Sequence, residues 1–305
     1  MTNFTARLLY VLVASIARMP WSWLMRCGDA MAAAMRRLDV RESRVARRNL
    51  QLAYPRMPVD ERERLHRAIL RGTARQALET LRLWTRPHAR NLALIRESHG
   101  VDLFDDAVAA GKGLIVAAPH YGNWELLNQW LASKTPISIL YRPPESAIGE
   151  AFLRIVRADD SGRVTQIRAE GPAVRQLWKL MKAGGVTGIL PDQQPKAGDG
   201  EFAPFFGVQA LTMTLLNRLS ERSGATVLFA YCERIGAGPD FALRIEPAPQ
   251  AIASPDVAEG VAALNAAVEQ IARRDPAQYQ WTYKRYTLRP PGSGEDNPYR
   301  DLETH

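Results

Sequence analysis

Apolar positions recur along the chain with two periods. Short runs at 113–118 (GLIVAA), 136–141 (PISILY), 186–190 and 226–232 (TVLFAYC) read as strands buried on both faces, and 241–245 is a candidate fifth. Longer stretches with helical spacing alternate with them. One covers 41–53. Another opens at Asp60, which with Glu63 has the spacing of a capping box, and runs to about Trp84. Further helices are predicted at 124–132, from Pro172 to Gly184-Gly185, at 212–223, and from Ser254-Pro255 to about Arg274. Strands alternating with helices predict an α/β fold, a largely parallel sheet flanked by helices behind a helical, basic amino-terminal layer. The expected organisation is a segment 1–40, a single α/β domain 41–290 and a polar tail 291–305.

Charge sharpens the picture of the first segment. Residues 1–90 hold 18 arginines, no lysine and 7 acidic residues, a net +11, while 91–305 sum to −3. Such asymmetry points to an anionic partner: nucleic acid, an anionic membrane or an acidic protein; a solvated helix face is the plainer reading. Residues 8–17 (LLYVLVASIA) lie between Arg7 and Arg18, with Trp21 and Trp23 just beyond. Ten apolar or small residues are too few for a span of about 20. Arginines and tryptophans beside them suit a helix lying in a membrane interface, although a core helix docked on the domain fits the same pattern. The 46% hydrophobic and 24% charged composition of the 305 residues excludes wholesale disorder. Two cysteines, Cys27 and Cys232, give neither a disulfide framework nor a metal spacing.

The chemistry concentrates at GLIVAAPHYGNWELL, 113–127. A buried strand ends at Pro119 and His120 follows, at the carboxyl end of a strand, where α/β sheets gather ligands. Its imidazole accepts a proton near neutral pH. Glu125 lies five residues on. On one continuous helix the two side chains would diverge by about 140°; they meet only with His120 in the loop and Glu125 in the first helical turn. Gly122 permits that turn and Asn123 is a plausible N-cap, with contact to substrate as an alternative role. The expected arrangement is a dyad in which Glu125 accepts a hydrogen bond from one ring nitrogen and the other nitrogen takes a proton from a hydroxyl nucleophile. A purely structural His–Glu pair is the competing reading. There is no third ligand beside these two, no phosphate-binding glycine loop and no GxSxG, so no metal and no cofactor are expected.

HYGNWELL, with its HxxxxE spacing, resembles the late acyltransferases of lipid A biosynthesis, the lauroyl/myristoyl transferase family. RVARRNLQLAYP (44–55), ALETLRLW (77–84), LYRP (140–143), LPDQQP (190–195), FAPFFGVQALT (202–212) and QYQWTYKRY (278–286) agree in order. The resemblance implies transfer of a fatty acyl group from an acyl-carrier-protein thioester to a hydroxyl of a lipid A precursor, at the cytoplasmic face of a bacterial inner membrane. His120 would deprotonate the hydroxyl and Glu125 would orient it. Arg142 is a candidate for the oxyanion or for an acceptor phosphate. Asp192 and Gln193, after the third strand, are candidates to position the acceptor. Trp124 and Phe205-Phe206 are candidates for an acyl tunnel or for core packing. Tyr283 stands where many relatives would have histidine and is left out of the expected site. The alternatives are the same chemistry on another lipid acceptor (a lysophospholipid, aminolipid or glycolipid), or a non-catalytic basic membrane-binding protein. Nucleic acid is not an expected partner, because no recognition motif follows the arginines.

Overall fold

The computed structural model describes residues 2–141, 146–156, 162–168 and 173–302. The chain opens with four helices: α1 (Thr2–Ala17), α2 (Trp21–Arg37), α3 (Arg41–Ala53) and α4 (Val59–Thr85). Then follow α5 (His88–Leu92), β1 (Ile95–His99), α6 (Val101–Ala109), β2 (Leu114–Ala117), α7 (Trp124–Lys134), β3 (Ile137–Tyr141), α8 (Ala147–Val156) and β4 (Val164–Arg168). The remainder is α9 (Ala173–Lys182), β5 (Val186–Ile189), a hairpin of β6 (Gly200–Phe205) and β7 (Val208–Met213), α10 (Leu215–Ser223), β8 (Thr226–Ile235), β9 (Asp240–Pro247) and α11 (Val257–Arg274).

Seven strands form one sheet in the order β1-β9-β8-β2-β5-β3-β4. From β8 to β4 every neighbouring pair is parallel; β9 joins β8 antiparallel, and β1 runs parallel to β9. The central strands explain the α/β reading. All four residues of β2 are buried, because alternate side chains enter two different cores. Ile115 and Ala117 pack with Leu50 of α3, Leu177 of α9 and Leu264 of α11. Leu114 and Val116 face Phe104 of α6 and Leu127 of α7. A strand sandwiched this way carries a continuous apolar run rather than an alternating one.

Three helix starts differ from the sequence expectation. The capping box at Asp60 is not used: α4 begins at Val59 behind Pro58 with no side-chain cap, and Asp60 instead accepts a hydrogen bond from Arg64 at 2.8 Å. The last long helix is capped by Asp256, whose carboxylate accepts from the Ala258 N–H, while Ser254 accepts from the Asp256 N–H. The predicted helix 212–223 begins only at Leu215, since 208–213 pairs as β7.

The amino-terminal layer is packed onto the rest. Ala6 and Val13 of α1 meet Ala151, Phe152 and Val156 of α8, and Tyr10 joins them. The opposite face of α1 carries Phe4, Leu8, Val11 and Leu12, each more than half exposed. Among the described residues no single helix is long and apolar enough to cross a membrane; α1 and α2 together have the composition but bend by 107° between them. Among the described residues the polar tail has one buried anchor, Tyr299, whose hydroxyl bonds Asn49 and accepts from the Tyr286 N–H.

Candidate active site

Strand register brings His120 and Asp192 together. Ala117 of β2 is aligned with Ile189 of β5, and the Ala118 N–H donates to the Ile189 carbonyl. Each strand then runs three residues past its last paired position, to His120 in one case and Asp192 in the other. Residues 72 apart in sequence thus meet at the carboxyl edge of the sheet. One carboxylate oxygen of Asp192 accepts from the His120 backbone N–H at 2.9 Å; the other is 2.7 Å from the ring Nδ1. Nδ1 therefore donates, and Nε2 is left as the acceptor. The Gln193 amide fits that tautomer: its Nε2 lies 3.2 Å from the His120 Nε2 and also donates to Gln280.

Asp192 is 4% exposed. Burial alone would push its proton affinity up; electrostatic attraction to the His120 ring and the hydrogen bonds from its ring and backbone outweigh that and hold the carboxyl below the usual range. Burial, followed by the negative charge of Asp192, drives the Tyr279 phenol well above its ordinary pKa, so it stays protonated.

The loop that carries His120 is fixed on every side. Gly122 has φ +63°, and a Cβ there would sit 2.1 Å from the Cys232 carbonyl oxygen, so the position accepts only glycine without rearrangement. The Gly122 N–H donates to Gln278, the Asn123 N–H to Cys232, and the Gln280 N–H to His120. Tyr121 is fully buried and donates to Glu233 at 2.6 Å. Asn123 caps α7, accepting from the Leu126 N–H, and donates to Glu79 at 3.3 Å. Glu79 is itself buried and takes two hydrogen bonds from Arg234. The ring of Trp124 stands edge-on to His120 with centroids 4.9 Å apart.

A cavity of about 1320 Å³ opens beside this edge. His120, Trp124, Glu125 and Gln193 line it together with apolar Ile139, Leu140 and Leu190. Apolar and polar side chains share its lining, as suits an amphiphilic ligand.

The expected residues divide as follows. His120, Glu125 and Gln193 share the cavity wall. The acceptor for a ring N–H, expected to be Glu125, is Asp192, which accepts from Nδ1, because parallel register aligns the two strand ends while Glu125 sits in the first turn of α7. Asp192, expected to hold the acceptor, lies beneath His120 and outside the cavity wall. Asn123, also expected at substrate, is fully buried and acts as a cap. Phe205 and Phe206 are core residues. Arg142 lies outside the described residues. Tyr283, excluded on sequence, lines the cavity and accepts from the Gln194 N–H at 3.1 Å. Among the described residues there is no group of three His, Cys, Asp or Glu that could hold a metal ion.

A buried acid holding a histidine by one nitrogen, with the other nitrogen at the wall of a ligand-sized cavity, is an arrangement that can accept a proton from a bound hydroxyl. The chain belongs to the bacterial lipid A biosynthesis acyltransferase family, whose model matches residues 2–287, and it is an acyltransferase. It is 26% identical to the lipid A biosynthesis palmitoleoyltransferase of Escherichia coli (strain K12) over 279 residues, 90% of this chain and 88% of the relative. The lauroyltransferase of the same organism is also 26% identical, over 91% of this chain and 89% of its own length. A phosphatidylinositol mannoside acyltransferase of Mycobacterium tuberculosis (strain CDC 1551 / Oshkosh) is 27% identical over 199 residues, 64% of this chain and 62% of the relative.

Proposed function

We propose that this chain transfers a fatty acyl group from an acyl-carrier-protein thioester to a hydroxyl of a lipid A precursor at the cytoplasmic face of a bacterial inner membrane. The observation that carries the chemistry is the Asp192–His120 pair, with Nε2 unprotonated at the cavity wall.

The acceptor hydroxyl displaces Gln193 from Nε2 and gives its proton to that nitrogen as its oxygen attacks the thioester carbonyl carbon. A C–O bond forms and the carbonyl electron pair moves to oxygen. Asp192 stabilises the imidazolium. The displaced Gln193 amide is a donor for the oxyanion, the role also proposed for Arg142. The tetrahedral species collapses, the C–S bond breaks, and the thiolate takes the proton back from Nε2. The products are an ester and a free carrier thiol. Glu125, in the same wall, supplies a second carboxylate that orients the acceptor.

Membrane contact is proposed through α1. One face of this helix docks on α8, while Phe4, Leu8, Val11 and Leu12 stay exposed, with Arg7, Arg18 and Arg26 exposed nearby. An apolar face rimmed by arginines suits burial at an anionic lipid surface. Trp84 and Val156 belong both to the cluster on which α1 docks and to the cavity wall, so a lipid drawn from that surface has a short path to His120.

The relative acting on phosphatidylinositol mannoside favours a second reading, in which the acceptor is another glycolipid. Mass spectrometry of total lipid A from cells with and without this chain separates the two. The proposal expects one lipid A species heavier by a single acyl group; an unchanged lipid A profile overturns it.

A further inference from the structure

One wall of the cavity is built by α9 and α10, two helices in contact with each other. From α9 it receives Arg175 and Trp178, from α10 Arg218 and Arg222. Arg218 and Arg222 are one helical turn apart and so share a face of α10. Among the described residues the guanidinium groups of Arg175 and Arg218 have no hydrogen-bond or ion-pair partner; Arg222 has only a 4.0 Å contact with the adjacent Glu221. No carboxylate from either helix lines the cavity. Asp199 and Glu201 line it from the separate segment before β6, together with Lys196.

Among the described residues, other arginines are either paired, as Arg75 with Asp29 and Arg234 with Glu79, or unpartnered on open surface, as Arg7 and Arg18, whereas Arg175 and Arg218 are unpartnered at a cavity wall. Two unpaired guanidinium groups on one wall of a ligand-sized cavity therefore mark a place for an anion. Their planar forks match a phosphate's oxygens. The same wall exposes apolar surface. Val174 is 56% and Trp178 42% exposed, and both line the cavity. A ligand that satisfies this wall is anionic at one point and apolar beside it.

We propose that Arg175 and Arg218 form a subsite for a phosphate group on the acceptor lipid, with Val174 and Trp178 covered by that lipid's apolar body. The assignment rests on the acyl-transfer reading above and adds to it how the acceptor is oriented: phosphate on the α9–α10 wall, hydroxyl at His120. A phosphate on the slender arm of an acyl carrier would engage the same cations but leave Trp178 uncovered.

The test uses the full chain and the double variant R175Q/R218Q, which leaves His120, Asp192 and Glu125 untouched. Binding is measured without acyl donor, to neutral detergent micelles doped with a phosphorylated glycolipid or with its dephosphorylated counterpart. The wild type is expected to bind the phosphorylated lipid at least tenfold more tightly, and the variant to bind both alike. Equal binding of the two lipids by the wild type, or retained preference in the variant, overturns the proposal. Acyl transfer run in parallel reports on the underlying reading separately: an inactive wild type that still prefers the phosphorylated lipid refutes the reaction and not the subsite. In the active enzyme, the variant is expected to raise KM for the phosphorylated acceptor tenfold or more with KM for the donor unchanged. A rise confined to the donor reassigns the cations to the carrier's phosphate and overturns the proposal.

Discussion

Replacing Asp192 by asparagine removes the negative charge beneath His120 while keeping the side chain's shape. The carboxylate now accepts from two donors, the His120 backbone N–H at 2.9 Å and the ring Nδ1 at 2.7 Å. An amide has only one acceptor atom. The backbone N–H is fixed and must have it, so the Asn NH₂ turns toward Nδ1. Nδ1 is then forced to accept, the ring proton moves to Nε2, and the base is lost in its resting tautomer. Losing a charged hydrogen bond alone costs about 1.5–3 kcal/mol, or roughly 10- to 150-fold at 1.36 kcal/mol per decade. The wrong tautomer takes the loss further, to about 10²–10⁴ in kcat, the range set by a mispositioned or missing base. Asp192 does not line the main cavity, so KM for either substrate should move less than about threefold on this account. The assay is steady-state acyl transfer by the purified D192N variant, with thermal unfolding as a check on folding. A variant that keeps a third of wild-type kcat refutes the assignment. So does a large loss in E125Q with D192N spared, which returns the orienting role to Glu125.

Gly122→Ala places a Cβ 2.1 Å from the Cys232 carbonyl oxygen at φ +63°; with about 1–2 kcal/mol for the left-handed backbone alone, the melting temperature should fall by about 5 °C or more, and an unchanged melting curve would show the loop to be plastic. His66 is buried on α4 with its Nε2 3.0 Å from the Ser43 carbonyl oxygen; burial lowers its pKa, against the opposing hydrogen bond to Ser43. A histidine whose pKa is lowered on folding binds its proton more readily when unfolded, so its stabilisation is complete above about pH 6.5 and shrinks as pH falls below that. Urea unfolding at pH 7.5 and 5.5 should therefore show a larger loss in the wild type than in H66Q, and equal losses would refute the argument. The double variant L8E/L12E charges the exposed face of α1, where both leucines are more than half exposed; flotation with anionic vesicles should drop at least tenfold with folding intact, since burying each leucine is worth about 1.5–3 kcal/mol, and undiminished flotation would remove α1 from the membrane contact.

The buried strands and the His120 loop were legible because each depends on nearest neighbours in sequence: a continuous apolar run, a glycine, an N-capping asparagine. β1 and β4, with mostly polar, partly exposed residues (IRESH and VTQIR), have no such run and escaped. So did the hairpin of β6 and β7, whose last residues, Thr212 and Met213, fall within the stretch that reads as the following helix. The partner of His120 escaped for a different reason. Glu125 is close in sequence, whereas Asp192 becomes close only once β2 and β5 are paired in their particular register. The same holds for Gln280 and Tyr283, which reach the site because the segment after α11 folds back against 120–122. Asp192 and Gln193 were singled out from LPDQQP, but their placement at the base depends on tertiary pairing that local spacing does not encode.

The most direct measurement of the central claim is mass spectrometry of the product formed when the purified full chain is incubated with an acyl-carrier-protein thioester and a lipid A precursor, beside the same reaction with H120A. The account predicts a precursor heavier by one ester-linked acyl group, formed at least about a hundredfold more slowly by the variant. An unmodified precursor, or a variant that acylates at more than about a tenth of the wild-type rate, contradicts it.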